Sequence, residues 1–211
     1  MTGVARRIAI IDGHPDPAPE RLCHALAGAY AAGAERAGHA VKRIDVAGLS
    51  FTPLRTKADF ETGAPEPDIA AAQTAIGWAD HLVFVYPLWL GTMPALLKAF
   101  LEQTFRPGFA FAYGGRWPQK KLKGRSAHVV VTMGMPALAY RWLFLAHSLK
   151  SFERNILAFC GIGPVRDTLL GGVEQAGADT RARWLERMAG EAARLPAAPR
   201  AWATATAESA P

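Results

Sequence analysis

The residues best suited to chemistry in this 211-residue chain lie in three stretches that interrupt apolar runs. Pro87, Leu88, Trp89 and Leu90 put large apolar side chains on a loop directly after an apolar strand. Exposed bulky apolar groups are costly unless something packs on them, so this loop suits the stacking of a planar cofactor. The alternative reading makes Trp89 and Leu90 ordinary core residues. A second stretch, Asp12 to Leu22, carries His14 and Arg21 together with Pro15, Pro17 and Pro19 just before an apolar helix. Helix N-termini offer free N–H groups and partial positive charge to an anion. Prolines cannot donate, so backbone donors concentrate at Glu20, Arg21 and Leu22. The His14 ring can donate as well, and Arg21 offers charge-assisted bonds. Glu20 repels an anion unless its side chain turns away. The third stretch, Thr132-Met133-Gly134 to Tyr140, follows another apolar strand, and its glycine lets backbone approach a flat ring without a Cβ clash.

Alternating strands and helices must position these loops. Ile8–Ile11 is short and apolar. Leu22, Ala25, Leu26, Ala29, Tyr30 and Gly33 mark the buried face of a helix ending near Gly38. Val41–Val46 reads as a strand, residues 48–67 as a long loop, and Asp68–Ala79 as a helix. His81–Tyr86 has the unbroken apolar character of a strand covered on both faces. Met93, Leu96, Leu97, Phe100, Leu101 and Thr104 recur at helical spacing after Pro94. Ala127–Thr132 is another buried strand, Tyr140–Phe159 a helix, Val165–Leu170 a fifth strand and Asp179–Leu195 an amphipathic helix. Five strands separated by helices imply a parallel sheet with right-handed crossovers. The expected organisation is one domain over residues 1–195 and a disordered tail rich in Ala, Pro, Thr and Ser over 196–211.

Pro87-Leu88-Trp89, followed by Gly91-Thr92-Met93-Pro94-Ala95-Leu96-Leu97-Lys98 and then by Pro107 to Phe111 and Gly114-Gly115, forms a signature. On it the chain resembles the flavin-dependent NAD(P)H:quinone oxidoreductases of the flavodoxin-like superfamily, over most of Arg7 to Leu170. The resemblance implies a flavodoxin-like three-layer α/β sandwich with strand order 2-1-3-4-5. In such sheets ligands sit beyond the carboxyl ends of the strands at the switch point, which sets the loops after Ile11, Tyr86 and Thr132 side by side. It implies FMN or FAD as cofactor, NADH or NADPH as electron donor, and a quinone or similar flat acceptor taking two electrons in a ping-pong cycle. The cofactor-binding set is then His14, Glu20, Arg21, Leu22, Pro87, Leu88, Trp89, Leu90, Thr132, Met133, Gly134 and Tyr140. Many relatives have Ser or Thr, an aromatic and Asn where this chain has Ala18, Pro19, Glu20 and Arg21. Tyr140 matches a catalytic tyrosine that settles charge on the reduced flavin. The histidine accompanying it there would fall at Ala146, one residue before His147, and one residue turns a helical side chain by about 100°. Trp89, Phe109, Phe111, Tyr113 and His147 would line the acceptor slot, across a homodimer interface that also uses Trp117. The alternative is an ancillary regulatory flavoprotein of a potassium-efflux system.

Composition bounds these readings. Half the residues are hydrophobic and the net charge is +6, against the strongly acidic balance usual in electron-carrying flavodoxins. Between Gln103 and Phe152 there is no Asp or Glu, while Arg106, Arg116, Lys120, Lys121, Lys123, Arg125, Arg141 and Lys150 fall inside. This favours anionic, phosphorylated ligands or, for Lys120 to Arg125, marks a solvated basic turn. No nucleic-acid-binding motif is visible. Cys23 and Cys160 lack the spacing of a metal site or disulfide framework and read as buried thiols of a cytoplasmic protein. The first residues form no secretory signal, and no window reaches the ~20 apolar residues of a membrane span.

Overall fold

The computed structural model describes residues 5–115 and 118–195; Trp117 and the tail from Pro196 lie outside them. Strand β1 (Arg7–Asp12) leads to helix α1 (Leu22–Arg36), β2 (Ala40–Asp45), a 3-10 turn (Val46–Gly48), α2 (Lys57–Thr62), α3 (Pro67–Trp78) and β3 (His81–Pro87). There follow α4 (Ala95–Thr104), strands β4 (Phe111–Ala112) and β5 (Gln119–Lys120), β6 (Ser126–Met133), α5 (Ala137–Trp142) and α6 (His147–Ser151). A π-helical stretch (Phe152–Leu157), α7 (Ala158–Cys160), β7 (Val165–Gly171) and α8 (Ala178–Ala193) complete the order. The five long strands are parallel in the order β2-β1-β3-β6-β7, the expected 2-1-3-4-5. Asp12 pairs with Val85 and Pro87 with Thr132, so the carboxyl ends of β1, β3 and β6 stand level.

Every residue of β3 is buried because this central strand is covered on both faces. Leu82, Phe84 and Tyr86 join Leu97, Phe100 and Ile76 on one side, while Val83 and Val85 join Leu26, Tyr30 and Met188 on the other. This is the two-residue alternation of a pleated strand. On the second side α1 packs directly on α8. A Cβ at Gly33 would lie 2.3 Å from the Ala189 carbonyl oxygen, so the two helices touch backbone to backbone.

Three local expectations are corrected. The stretch 48–67 is not all loop: the Thr56 hydroxyl accepts from the Asp59 N–H and caps α2, the N-cap chemistry that starts even short helices. The helix expected over 140–159 is broken at Leu145 and Ala146, both at positive φ, and resumes through a π-helical stretch. The inward face of α1 is Cys23, Leu26, Ala27, Tyr30, Ala31, Gly33 and Ala34, with Ala25 exposed; small residues face both ways in an alanine-rich helix, and contact with α8 selects among them. Residues 111–120 add an antiparallel hairpin outside the main sheet. The acid-free basic run is largely spent on backbone. Lys120 donates to the Ala158 carbonyl, Lys121 to that of Gly108, and Arg125 to those of Ile76 and Gly77 at the end of α3. The Arg125 bonds set a cation at the carbonyl-rich end of α3, where it is favourable.

Two buried histidines predict acid sensitivity. His81 meets Ser126 Oγ at 2.8 Å and Tyr30 Oη at 3.2 Å, and His128 meets Thr168 Oγ1 at 2.9 Å. Burial first, then neighbouring positive charge, pushes the His81 pKa down to about 3. Burial likewise lowers His128 to about 4. The unfolded chain therefore binds more protons than the folded one below about pH 6.5, and stability falls with pH in that window. At pH 5 the loss is about 2 kcal/mol per histidine. Thermal melts between pH 7 and 5 should show the fall, and His128→Gln should flatten it; a parallel slope in the variant would remove His128 from the account.

Candidate functional site

The three loops are stitched together where the sheet ends. The Gly13 N–H donates to the Val85 carbonyl at 2.8 Å, and the Leu88 N–H to the Thr132 carbonyl at 2.7 Å. Each bond extends a parallel ladder one residue past its strand. The His14 ring then meets Trp89 edge-on, 5.9 Å between centroids. Trp89 and Thr92 exchange backbone bonds of 2.8 and 3.0 Å, closing a tight turn with Leu90 at its tip. Pro87 is buried and Leu88 packs on the core, whereas Trp89 is 49% exposed and Leu90 fully so. Leu90 also sits at φ 46°. A bulky residue in the left-handed region costs roughly 1–3 kcal/mol and persists only where its surroundings enforce it. The result is an apolar shelf beside the start of α1.

The first loop is organised by a carboxylate absent from the expected set. Asp12 is fully buried; its Oδ1 accepts from the His14 N–H at 3.3 Å, and its Oδ2 lies 2.6 Å from His24 Nδ1. The His14 Nδ1 faces both the Asp16 N–H at 3.1 Å and the Asp16 carbonyl oxygen at 3.2 Å, accepting from the first in one tautomer and donating to the second in the other. Burial is the main cause lowering the His14 pKa, and nearby His24 adds to it. Arg21 bonds the Asp16 carboxylate at 2.7 Å and approaches Glu20 at 3.7 Å, so its charge is engaged within the loop. The Arg21 N–H closes a turn on the Ala18 carbonyl. Glu20 is exposed. Helix α1 begins at Leu22 with no side-chain cap and no acid in its first turn.

In the third loop Thr132 and Met133 are buried and Gly134 is exposed. The Thr132 hydroxyl lies 3.4 Å from Cys23 Sγ, whose thiol burial pushes up to about 12. The Gly172 N–H donates to the Met135 carbonyl and the Val173 N–H to that of Met133, pinning the loop to the end of β7. Tyr140 is 2% exposed; its hydroxyl meets Ser148 Oγ at 2.7 Å and accepts from the Leu149 N–H at 3.2 Å. Ser148 in turn lines a cleft of about 600 Å³ with Trp89, Leu90, Met93, Lys98 and Phe152. Tyr140 thus reaches that cleft through Ser148.

The remaining aromatics lie elsewhere within the chain. Phe111, 4% exposed, packs on Phe60, Tyr113 and Phe159. With Tyr113, 63% exposed, it lines a neighbouring cleft of about 280 Å³ that shares Lys98 and Ile156 with the first. Phe109 is half-buried against Gly77 of α3, and His147 stands exposed at the start of α6. Asp12, His24 and Ser148 were missed from the sequence. An acid closing an apolar strand just before Gly-His was the available signal for Asp12; nothing local marked the other two.

An exposed apolar shelf, the His14 ring and an uncapped helix start together suit a flat ring bearing a phosphate. The fit to a flavin is therefore good on the shelf side; at the phosphate side, Asp16 and Glu20 are offset by Arg21.

A family model described as flavodoxin-like fold matches residues 6–194. Among curated proteins, NAD(P)H dehydrogenase [quinone] 1 of Cavia porcellus is 27% identical, over 87% of this chain and 76% of its own length. FMN-dependent NADH:quinone oxidoreductase 1 of Hahella chejuensis is 33% identical, over 56% of this chain and 55% of its own. The chain spans about half the length of several curated relatives it matches. The solved NAD(P)H:quinone oxidoreductase of Methanothermobacter marburgensis superposes with a TM-score of 0.76 at 24% identity, covering 90% of this chain and 99% of that one. That likeness is one of fold.

Proposed function

The chain belongs to the flavodoxin-like fold family, and from that premise we propose that it is a flavin-dependent oxidoreductase carrying two electrons from NAD(P)H to a quinone or similar flat acceptor. The observation that carries the reading is the Trp89–Leu90 shelf, with Leu90 at positive φ and Trp89 against the His14 ring. Relatives named as NAD(P)H dehydrogenases and an FMN-dependent NADH:quinone oxidoreductase support it. FMN and FAD share the phosphate that His14 and the Leu22 end of α1 would receive. When bound, the flavin supplies the hydride chemistry. The chain's part is to stack the ring on Leu88, Trp89 and Leu90, border it with Met133 and Gly134, and hold the phosphate. Tyr140 fixes Ser148 at the cleft, where the serine hydroxyl can donate to a flat acceptor. One cleft serving donor and acceptor in turn gives the ping-pong cycle.

A homodimer is part of the proposal, since Tyr113 and Trp142 are exposed aromatics that a second copy would cover. Two buried free thiols suit a reducing cytoplasm. Among the described residues no helix is long and apolar enough to cross a membrane.

The test is direct. Purified protein should carry or take up FMN or FAD and oxidise NAD(P)H when a quinone is supplied. His14→Ala should weaken flavin binding by roughly ten- to a hundred-fold, the worth of one hydrogen bond to a charged group, with the fold intact. Protein that binds neither flavin would sink the proposal. Flavin binding without turnover on any quinone would favour the ancillary regulatory role.

A further inference from the structure

We propose that His24 is a positioning residue whose ring proton ties the phosphate loop closed: as an imidazolium it bridges the Asp12 carboxylate and the Asp16 carbonyl, and so holds His14 and the start of α1 ready for a flavin phosphate. The inference rests on the flavin reading above. Nδ1 of His24 lies 2.6 Å from Asp12 Oδ2, and Nε2 lies 2.9 Å from the Asp16 carbonyl oxygen. A carboxylate and a carbonyl only accept, and a neutral imidazole has one N–H. The charged ring satisfies both contacts; the neutral ring leaves one nitrogen facing an acceptor.

The tie reaches His14 through a single residue. Asp16 meets His24 Nε2 at its carbonyl, and both its N–H, at 3.1 Å, and its carbonyl, at 3.2 Å, lie against His14 Nδ1. Its carboxylate receives Arg21 and the Ala18 N–H at 2.9 Å. Releasing the Asp16 carbonyl therefore loosens the one residue against which His14 Nδ1 is held. The two rings stand 5.5 Å apart, close enough that only one should carry charge.

The surroundings set the sign. Asp12 on β1, Asp45 and Arg43 on β2, and His14, Asp16, Glu20 and Arg21 in the loop are the ionisable groups around His24. Four carboxylates thus stand against two guanidinium groups, and the imidazolium is the third cation. Burial opposes the charge, yet the bonds to Asp12 and the Asp16 carbonyl and the field of Asp45 outweigh it and raise the His24 pKa above its ordinary value. As pH climbs through that raised value, the tie and one positive charge are lost together. Affinity for a flavin phosphate should then fall. A phosphate monoester gains charge through its second ionisation near pH ~6, which strengthens binding as pH rises. The two effects differ in sign.

Binding of FMN and of riboflavin, which lacks the phosphate, to the full chain from pH 6 to pH 9 tests this by flavin fluorescence. FMN affinity should drop about ten-fold or more across the range, while riboflavin affinity stays level. His24→Gln should bind FMN more weakly at pH 6 and lose the fall with pH, keeping only the rise from the phosphate's second ionisation, with riboflavin binding retained. If that variant does not fold, the FMN-to-riboflavin contrast in the parent protein decides alone. FMN affinity that is flat or rises with pH overturns the role of His24 and leaves the flavin reading standing. A protein that binds neither FMN, FAD nor riboflavin at any pH removes the flavin reading, and this inference with it.

Discussion

Alanine at Gly171 should lower stability by about 1–3 kcal/mol or more and loosen the flavin site, though residue 171 belongs to none of the three loops. An added Cβ would stand 2.2 Å from the Ala137 nitrogen, 2.6 Å from the Met135 oxygen and 2.9 Å from the Pro136 carbonyl carbon. These are backbone atoms, so no rotamer change relieves the clash. Neighbouring bonds from Gly172 to Met135 and from Val173 to Met133 clamp the same segment. Either β7 or the third loop must move, and the loop is the softer of the two. The expected readout is a Tm lower by roughly 2–12 °C, with weaker flavin retention. Gly190→Ala, where nothing lies within 4 Å, serves as control and should lower neither. An unchanged Tm with full flavin retention in the Gly171 variant would refute the close-approach argument.

The second large effect is kinetic. Tyr140→Phe deletes the hydroxyl that meets Ser148 and accepts from the Leu149 N–H. Ser148 then loses its fixed orientation at the cleft. Turnover with NAD(P)H and a quinone should fall by roughly ten- to a thousand-fold, the usual range for removing a pre-placed donor, with flavin still bound. Ser148→Ala should reproduce most of the loss, and the double variant should add little beyond either single one. Initial rates against NAD(P)H at several quinone concentrations should give parallel double-reciprocal lines. Intersecting lines would reject a shared cleft, and an unaffected rate in Tyr140→Phe would reject the Tyr140–Ser148 pair.

Where the sequence was legible, the periodicity was unambiguous. His81 to Tyr86 reads as a buried central strand because every residue but the first is apolar, and Leu97, Phe100 and Leu101 read as one helix face because nothing interrupts their spacing. Strand order came from the signature around Trp89 rather than from periodicity. The α1 face could not be placed, since alanines bury or expose with equal ease and α8, far away in sequence, made the choice. The break at Leu145 and Ala146 was hidden because an apolar run carries no breaker residue there. Asp12 and His24 escaped for a different reason. Their pairing joins a strand end to a helix across the phosphate loop, and single-residue chemistry does not show which acid a histidine will meet.

The backbone contact between Gly33 and Ala189 has a consequence for how the protein is made. Helix α1 emerges early from the ribosome and finds β1 and β3 for its face with Leu26 and Tyr30, but α8, which meets it at Gly33, follows roughly 160 residues later, a wait of about 8–30 s at ~5–20 residues per second. For that interval the flank of α1 around Gly33 stays uncovered. The nascent polypeptide should therefore depend on chaperones that shield this flank until α8 arrives.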